Sequence, residues 1–184
     1  MLDFELGILN FIHDTFTGPL LDKVMLVISN FGYKGISWMV LALILLMFKK
    51  TRQLGLSVAI ALLLGLLFGN LVIKNVVARA RPYEYNTEIN LLVNRLSDYS
   101  FPSGHTLAAF EVTTCIFIRH KKWGIAVLIL ALAISFSRLY LYVHFPSDIL
   151  AGMVLGITFA IIGTLIANKI YKRKNLLSKK SVID

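Results

Sequence analysis

The chain has 184 residues, of which 57% are hydrophobic and 16% are charged. A soluble domain carries about a quarter charged residues, so the composition argues against a soluble protein and predicts a single integral-membrane domain over residues 1–184. The net charge of +9 does not indicate nucleic-acid binding, because 12 of the 19 lysines and arginines lie in three clusters at the ends of hydrophobic segments. This distribution is the positive-inside pattern of membrane proteins. The clusters are Lys49, Lys50 and Arg52; Arg119, Lys121 and Lys122; and Lys169, Lys172, Arg173, Lys174, Lys179 and Lys180.

The predicted elements begin with residues 2–17, which are mildly amphipathic and form either a helix in the membrane interface or a plain lead-in. A break at Gly18-Pro19 ends this segment. The remaining apolar segments predict an all-α, polytopic bundle of six transmembrane helices. They cover residues 20–31, 36–48, 53–78, 103–118, 123–142 and 147–168, with a turn at Gly32–Gly35 and one long polar loop at residues 79–101.

The basic clusters also predict the topology. If all three are cytoplasmic, both termini are cytoplasmic and the 79–101 loop lies on the opposite face with the 143–146 turn. The unusual polar residues of the chain all lie near these two connections. We therefore expect a site at the extracytoplasmic face of the membrane.

Two motifs flank the long loop. Lys74 and Arg81 are seven residues apart, nearly two helical turns, which predicts that both lie on one face of a helix that Pro82 stops. Alternatively, both are interfacial anchors, the role we assign to Arg79.

The second motif is Pro102-Ser103-Gly104-His105. Proline is favoured at a helix start, so the amides of Ser103 and Gly104 would form an anion site beside His105. The alternative is a proline-initiated span with an interfacial histidine.

The third motif runs from Ser137-Arg138 to His144 and Asp148. Pro146 would start the last helix, with Asp148 in its first turn, either orienting a nucleophilic His144 or simply capping the helix. Arg138 is a cation within a span, which is costly unless it is paired or functional. Lys74, Arg81 and Arg138 on one face favour a multiply charged anion, and phosphate fits.

Together, the three motifs resemble the tripartite signature of the type-2 phosphatidic acid phosphatase family, which includes soluble vanadium haloperoxidases. The resemblance covers residues 74–148 with all spacings intact. It implies His144 as nucleophile, His105 as general acid and Asp148 as the partner of His144. It also implies five phosphate ligands, Lys74, Arg81, Ser103, Gly104 and Arg138, and catalysis without a metal or other cofactor.

The expected reaction is hydrolysis of a lipid phosphate in a bacterial inner or plasma membrane. The candidate substrates are undecaprenyl diphosphate, phosphatidylglycerophosphate, phosphatidic acid and a lipid A phosphate, with the first two favoured. The rivals are a metal hydrolase using both histidines and Asp148, and a lipid or anion transporter whose pocket only binds phosphate. A haloperoxidase is disfavoured by membrane embedding. The sequence does not indicate the oligomeric state.

Other polar residues receive structural interpretations. Tyr140 and Tyr142 are predicted to be interfacial aromatics, and Asn70 and Cys115 to be packing residues. Glu111 either pairs with a neighbouring helix or faces the cavity. A solvated loop is predicted for Glu84, Glu88, Arg95 and Asp98, with a role in tuning headgroup entry as the alternative.

Overall fold

The structure, a computed structural model, describes residues 2–32 and 35–180. The described residues are helical with no strand, which confirms the all-α prediction. The helices are α1 (Leu2–Phe16), α2 (Pro19–Phe31), α3 (Ile36–Met47), α4 (Arg52–Leu64), α5 (Lys74–Val77), α6 (Pro82–Tyr85), α7 (Gly104–Arg119), α8 (Lys121–Tyr140) and α9 (Pro146–Lys180), with a π-helical segment (Gly65–Ile73) between α4 and α5.

Prolines are the first residues of three described helices, α2, α6 and α9. Pro19 is the first residue of α2, after Gly18 in extended conformation, and Pro146 is the first residue of α9 as predicted. A proline fits here because the first helical amide needs no partner within the helix. The predicted turn at Gly32–Gly35 includes residues 33–34, which lie outside the described residues.

Among the described residues, three helical stretches are long and apolar enough to cross a membrane: Arg52–Tyr85, Lys121–Tyr140 and Pro146–Arg173. The bent pair α2 and α3 gives a fourth if it is counted as one span. Helix α7 has 16 residues, or about 24 Å of helix, against a hydrocarbon core of about 30 Å. The protein therefore has membrane-spanning helices, whereas the count of six stays a prediction.

Helix α9 packs along both α4 and α7, and α7 packs against α8. Two glycines one turn apart allow the close approach of α9 to α7. A Cβ atom at Gly152 would lie 2.8 Å from the carbonyl oxygen of Ser103, and one at Gly156 would lie 2.6 Å from that of Leu107. Small residues allow such contacts in membrane proteins, and here the contact places the start of α9 beside the start of α7.

A cluster of buried apolar side chains joins α1 to the end of α8. Leu9 and Ile12 of α1 are buried in it together with Tyr140 and Tyr142, which are 3% and 1% exposed. The prediction of interfacial tyrosines is therefore wrong, because their rings fill this cluster and the Tyr142 hydroxyl donates a 2.7 Å hydrogen bond to Asn10. Residues 2–16 do form a helix, while its position in a membrane interface stays a prediction.

Candidate active site

His144 and Asp148 lie on either side of the start of α9. His144 is in the turn between α8 and α9, and Asp148 is in the first turn of α9. Nδ1 of the histidine is 3.5 Å from Oδ2 of the aspartate, at the outer limit of a hydrogen bond. Both side chains are buried. This arrangement leaves Nε2 of His144 directed toward the guanidinium of Arg81, whose Nη1 is 3.5 Å away.

The imidazole of His144 is uncharged at neutral pH. Burial, with the nearby charges of Arg81 and Arg138, lowers the pKa of His144 to about 3, although the hydrogen bond to Asp148 opposes this shift. A neutral imidazole keeps a lone pair on one ring nitrogen. Asp148 favours the proton on Nδ1, so the lone pair is on Nε2.

Asp148 accepts hydrogen bonds from three further groups. The Ser100 hydroxyl donates to Oδ2 at 2.5 Å, and the Phe145 amide donates to the same oxygen at 2.9 Å. Arg79 donates to Oδ1 at 2.6 Å. Asp148 has no exposed surface, and these contacts hold its side chain in one orientation.

Arg79 also binds the N-terminal helix, so its assignment as an interfacial anchor is wrong. Its Nη2 donates to Oε2 of Glu5 at 2.6 Å, and its guanidinium lies over the ring of Phe145, 3.9 Å from the centroid. Glu5 in turn accepts the amide of Ser147 at 2.9 Å. Ion pairs of Arg79 with Glu5 and with Asp148 thus link α1 to the start of α9. These residues are too far apart in the sequence for helical spacing to predict the pairs.

Lys74 and Arg81 meet through the carboxylate of Asp98, a residue predicted to lie in a solvated loop. Nζ of Lys74 donates to one oxygen of Asp98 at 2.8 Å, and Nη2 of Arg81 donates to the other at 2.7 Å. Burial alone would raise the pKa of Asp98, but the hydrogen bonds and charges of these two cations hold it at about 2. Asp98 is therefore ionised at physiological pH.

The predicted shared helix face of Lys74 and Arg81 is also wrong. The helix ends at Val77, and Ala78 takes a left-handed conformation with φ of 47°. Arg81 is extended, and Pro82 starts the short helix α6 rather than ending a long one. The two cations still converge, because Arg81 reaches back to the carbonyl oxygens of Asp98 at 2.9 Å and Val143 at 2.7 Å.

Arg138, near the end of α8, is a buried cation with a free donor. It is 4% exposed, and its Nη1 donates to the hydroxyl of Ser29. Its Nε has no hydrogen-bond partner among the described residues, and no carboxylate of those residues lies within 4 Å of its guanidinium. A buried guanidinium without an anion is costly, so this group calls for a negatively charged ligand.

Helix α7 begins at Gly104, directly after Ser103. Pro102 therefore lies outside the helix, and the prediction that it starts this helix is wrong. The amide of Ser103 donates to the carbonyl oxygen of Asp148 at 3.1 Å, so it is engaged rather than free as predicted. At Gly104, a Cβ atom would lie 2.8 Å from Oδ1 of Asn70. This position therefore has little room for a side chain.

One cavity of 1540 Å³ connects most of these groups. The predicted site residues that line it are Lys74, Arg81, Gly104, His105, Arg138 and His144. Ser103 and Asp148 lie behind this lining, and both are fully buried. The cavity continues between apolar side chains of α3 and α4, including Leu43, Leu46, Leu62 and Leu63, so a polar end adjoins an apolar channel.

The PAP2 superfamily model matches residues 50–172, which is most of the chain. The chain belongs to the PAP2 superfamily. This confirms the resemblance inferred from the three motifs, all of which lie within the matched range.

Three relatives show what the chain is similar to in sequence. An undecaprenyl-diphosphatase of Sulfolobus acidocaldarius is 34% identical over 74% of the chain and 66% of its own length. Phosphatidylglycerophosphatase B of Bacillus subtilis is 31% identical over 76% of the chain and 71% of its own length. A putative undecaprenyl-diphosphatase of Escherichia coli is 34% identical, but the match spans 66% of the chain and 63% of that relative. The chain thus spans slightly less than two thirds of some of these relatives.

Two solved structures share the fold. The crystal structure of LpxE from Aquifex aeolicus superimposes with a TM-score of 0.76 at 28% identity, covering 87% of this chain and 94% of that one. A PAP2-type phosphatidylglycerolphosphate phosphatase from Bacillus subtilis gives a TM-score of 0.74 at 26% identity, covering 91% of this chain and 86% of that one.

Proposed function

We propose that the protein is a metal-independent lipid phosphatase that hydrolyses the phosphate or diphosphate of a membrane lipid through a phosphohistidine intermediate. The observation that carries the proposal is Arg138, a buried cation with an unpartnered donor on the same cavity as His105 and His144. A cavity that presents cations beside a neutral imidazole suits a phosphate group under nucleophilic attack. The similarity to named lipid phosphatases supports the same reaction class.

The substrate class follows from the two ends of the cavity. The polar end takes a phosphate or diphosphate, and the leucine-lined channel between α3 and α4 takes the lipid tail. Undecaprenyl diphosphate and phosphatidylglycerophosphate are the favoured substrates, ahead of phosphatidic acid and a lipid A phosphate. We place the reaction at the extracytoplasmic face of a bacterial cell membrane, with both termini cytoplasmic, on the basis of the basic clusters.

In the first step, Nε2 of His144 attacks phosphorus, a P–N bond forms, and the bond from phosphorus to the leaving oxygen breaks. His105, which takes up a proton from solvent when the phosphate brings negative charge beside it, gives this proton to that oxygen, which departs on the lipid. Asp148 keeps the hydrogen bond to Nδ1 and stabilises the positive charge that develops on the ring, as in other pairs of a base and its orienting carboxylate.

In the second step, a water molecule attacks the phosphohistidine. His105 accepts the proton of the water, the P–N bond breaks, and His144 returns to its neutral form. Lys74, Arg81 and Arg138, with Gly104 at the start of α7, surround the phosphoryl oxygens in both steps, while Ser103 lies behind them with its amide bonded to Asp148. Their charge stabilises the transition state more than the ground state because negative charge builds up on those oxygens.

Phosphate release from the four candidate lipids by purified protein tests the proposal. His144→Ala and His105→Ala should each lower kcat by about a thousandfold or more, since each removes a reacting group. His120→Ala, an exposed histidine at the far end of α7, is the matched control and should keep full activity. Substantial turnover by a folded His144→Ala protein would end the covalent scheme.

Two rival functions have distinct outcomes in the same assay. A metal hydrolase would lose activity to a chelator, whereas the proposed enzyme keeps it and is inhibited by vanadate. A lipid or anion transporter would move labelled lipid across vesicles while releasing no phosphate from any of the four lipids.

A further inference from the structure

We infer that Asp98 competes with the substrate phosphate for Lys74 and Arg81, and so selects headgroups that carry at least two negative charges. This inference rests on the proposed function and adds a specificity-determining residue to the same site. Asp98 lies outside the three motifs, in the loop before α7.

The first observation is that Asp98 occupies both cations. One carboxylate oxygen is 2.8 Å from Nζ of Lys74 and the other is 2.7 Å from Nη2 of Arg81. Two oxygens on one central atom, each bound to a different cation, are also what a phosphate presents. The carboxylate thus makes the contacts expected of two phosphoryl oxygens.

The second observation is the asymmetry of burial in these ion pairs. The side chains of Lys74 and Arg81 are 7% and 2% exposed, whereas that of Asp98 is 54% exposed. Buried cations require a counter-ion, but a carboxylate that is half in water returns to water at little cost. The pairs are therefore suited to exchange of the anion, with the cations fixed.

Asp148 differs from Asp98 in both its burial and its contacts. Its side chain has no exposed surface and is held by Arg79, Ser100 and the amide of Phe145. Exchange of Asp148 for a ligand would break several buried contacts at once. Of these two carboxylates, Asp98 is the displaceable one and Asp148 is the fixed one.

The exchange sets a charge threshold for substrates. A singly charged headgroup only replaces the charge that Asp98 already supplies to Lys74 and Arg81. The exchange therefore gives it little favourable free energy of binding. A phosphate dianion or a diphosphate brings more charge to Lys74 and Arg81 and also reaches Arg138, which has no carboxylate partner among the described residues. Because the gain grows with the charge of the headgroup, a diphosphate displaces Asp98 more readily than a monophosphate on the same lipid does.

Calorimetric titration of the full chain with orthovanadate in detergent tests the competition directly. Asp98→Asn should bind vanadate about tenfold more tightly than the unaltered protein, because the anion no longer displaces a carboxylate. Glu88→Gln removes the same charge from an exposed position in the same loop and should leave binding unchanged. Unchanged or weaker binding by Asp98→Asn, or equal tightening by Glu88→Gln, overturns the inference.

A second measurement uses the unaltered protein, so it does not depend on how the variant folds. Vanadate should speed amide hydrogen exchange in residues 94–99, since the loop loses its carboxylate anchor, and slower or unchanged exchange would contradict the competition. With prenyl substrates of equal chain length, the KM ratio of monophosphate to diphosphate should fall several-fold in Asp98→Asn. If no lipid is hydrolysed, the proposed function fails, while the vanadate titration still decides the role of Asp98.

Discussion

Nη1 of Arg79 lies 2.6 Å from Oδ1 of Asp148, on the carboxylate oxygen that does not face His144. The same guanidinium binds Glu5 of α1 at 2.6 Å. Asp148 is therefore shared between a cation and the proposed nucleophile, and the cation is itself held by the N-terminal helix. In a proposed mechanism that depends on the orientation of one imidazole, Arg79 acts as a positioning residue.

Replacement of Arg79 by glutamine should lower kcat by about 30-fold with a small change in KM. The substitution removes a charge-assisted hydrogen bond worth about 2 kcal/mol from the carboxylate that contacts the proposed nucleophile. Glu5→Gln is the matched control, because it weakens the contact between Arg79 and α1 but leaves the ion pair of Arg79 with Asp148. It should lower kcat less than Arg79→Gln does. Steady-state kinetics of both variants tests this positioning role of Arg79. An equal loss of kcat in both variants would contradict it and would show that only the docking of α1 matters.

Asp148→Asn should reduce kcat by on the order of a thousandfold or more while the protein still folds. An asparagine in this place does not stabilise the imidazolium and favours the wrong tautomer of His144. Ser100→Ala removes one donor from the same carboxylate at 2.5 Å and leaves its charge, so it should cost far less. Rates of phosphate release from one lipid compare the two, and similar losses would contradict the orienting role.

The stability of the protein should depend on pH through His144. Its pKa of about 3 in the folded state is below the value of about 6.5 in an unfolded chain, so the unfolded state binds more protons between these values. The stabilisation from the neutral imidazole is complete above about pH 6.5 and is lost as pH falls toward 3. Unfolding temperatures from pH 7 to pH 4 should fall more steeply for the unaltered protein than for His144→Asn, and parallel curves would refute the assignment.

Substitution of Glu111 by methionine should raise the stability by about 1–3 kcal/mol. Both carboxyl oxygens of this fully buried side chain lack a hydrogen-bond partner among the described residues, and a buried polar group without partners is costly. An apolar side chain of similar length would remove that cost and still fill the space beside Gly65. Denaturant unfolding in detergent measures the change in the free energy of unfolding. A loss of stability would contradict the prediction and would indicate that the Glu111 carboxyl has a hydrogen-bond partner in the folded protein.

The sequence by itself predicted the candidate site residues and determined several local features. Composition indicated a membrane protein, and the motifs from Lys74 to Asp148 resembled the signature of the family to which the chain belongs. Proline chemistry predicted the start of α9 at Pro146 and the place of Asp148 in its first turn. These features depend on residues that are close together in sequence, where helix geometry and proline stereochemistry fix the outcome.

Only the tertiary structure decided which carboxylate pairs with which cation. Asp98 is 24 residues from Lys74, whereas Arg79 is 69 residues from Asp148 and 74 from Glu5. The loop that carries Asp98 has no hydrophobic period to predict its path, and the position of α1 depends on the packing of Leu9 and Ile12 against the end of α8. Ion pairs of this kind form because packing brings buried charges together and burial then demands a partner, so they follow from the assembled helices rather than from spacing in the chain.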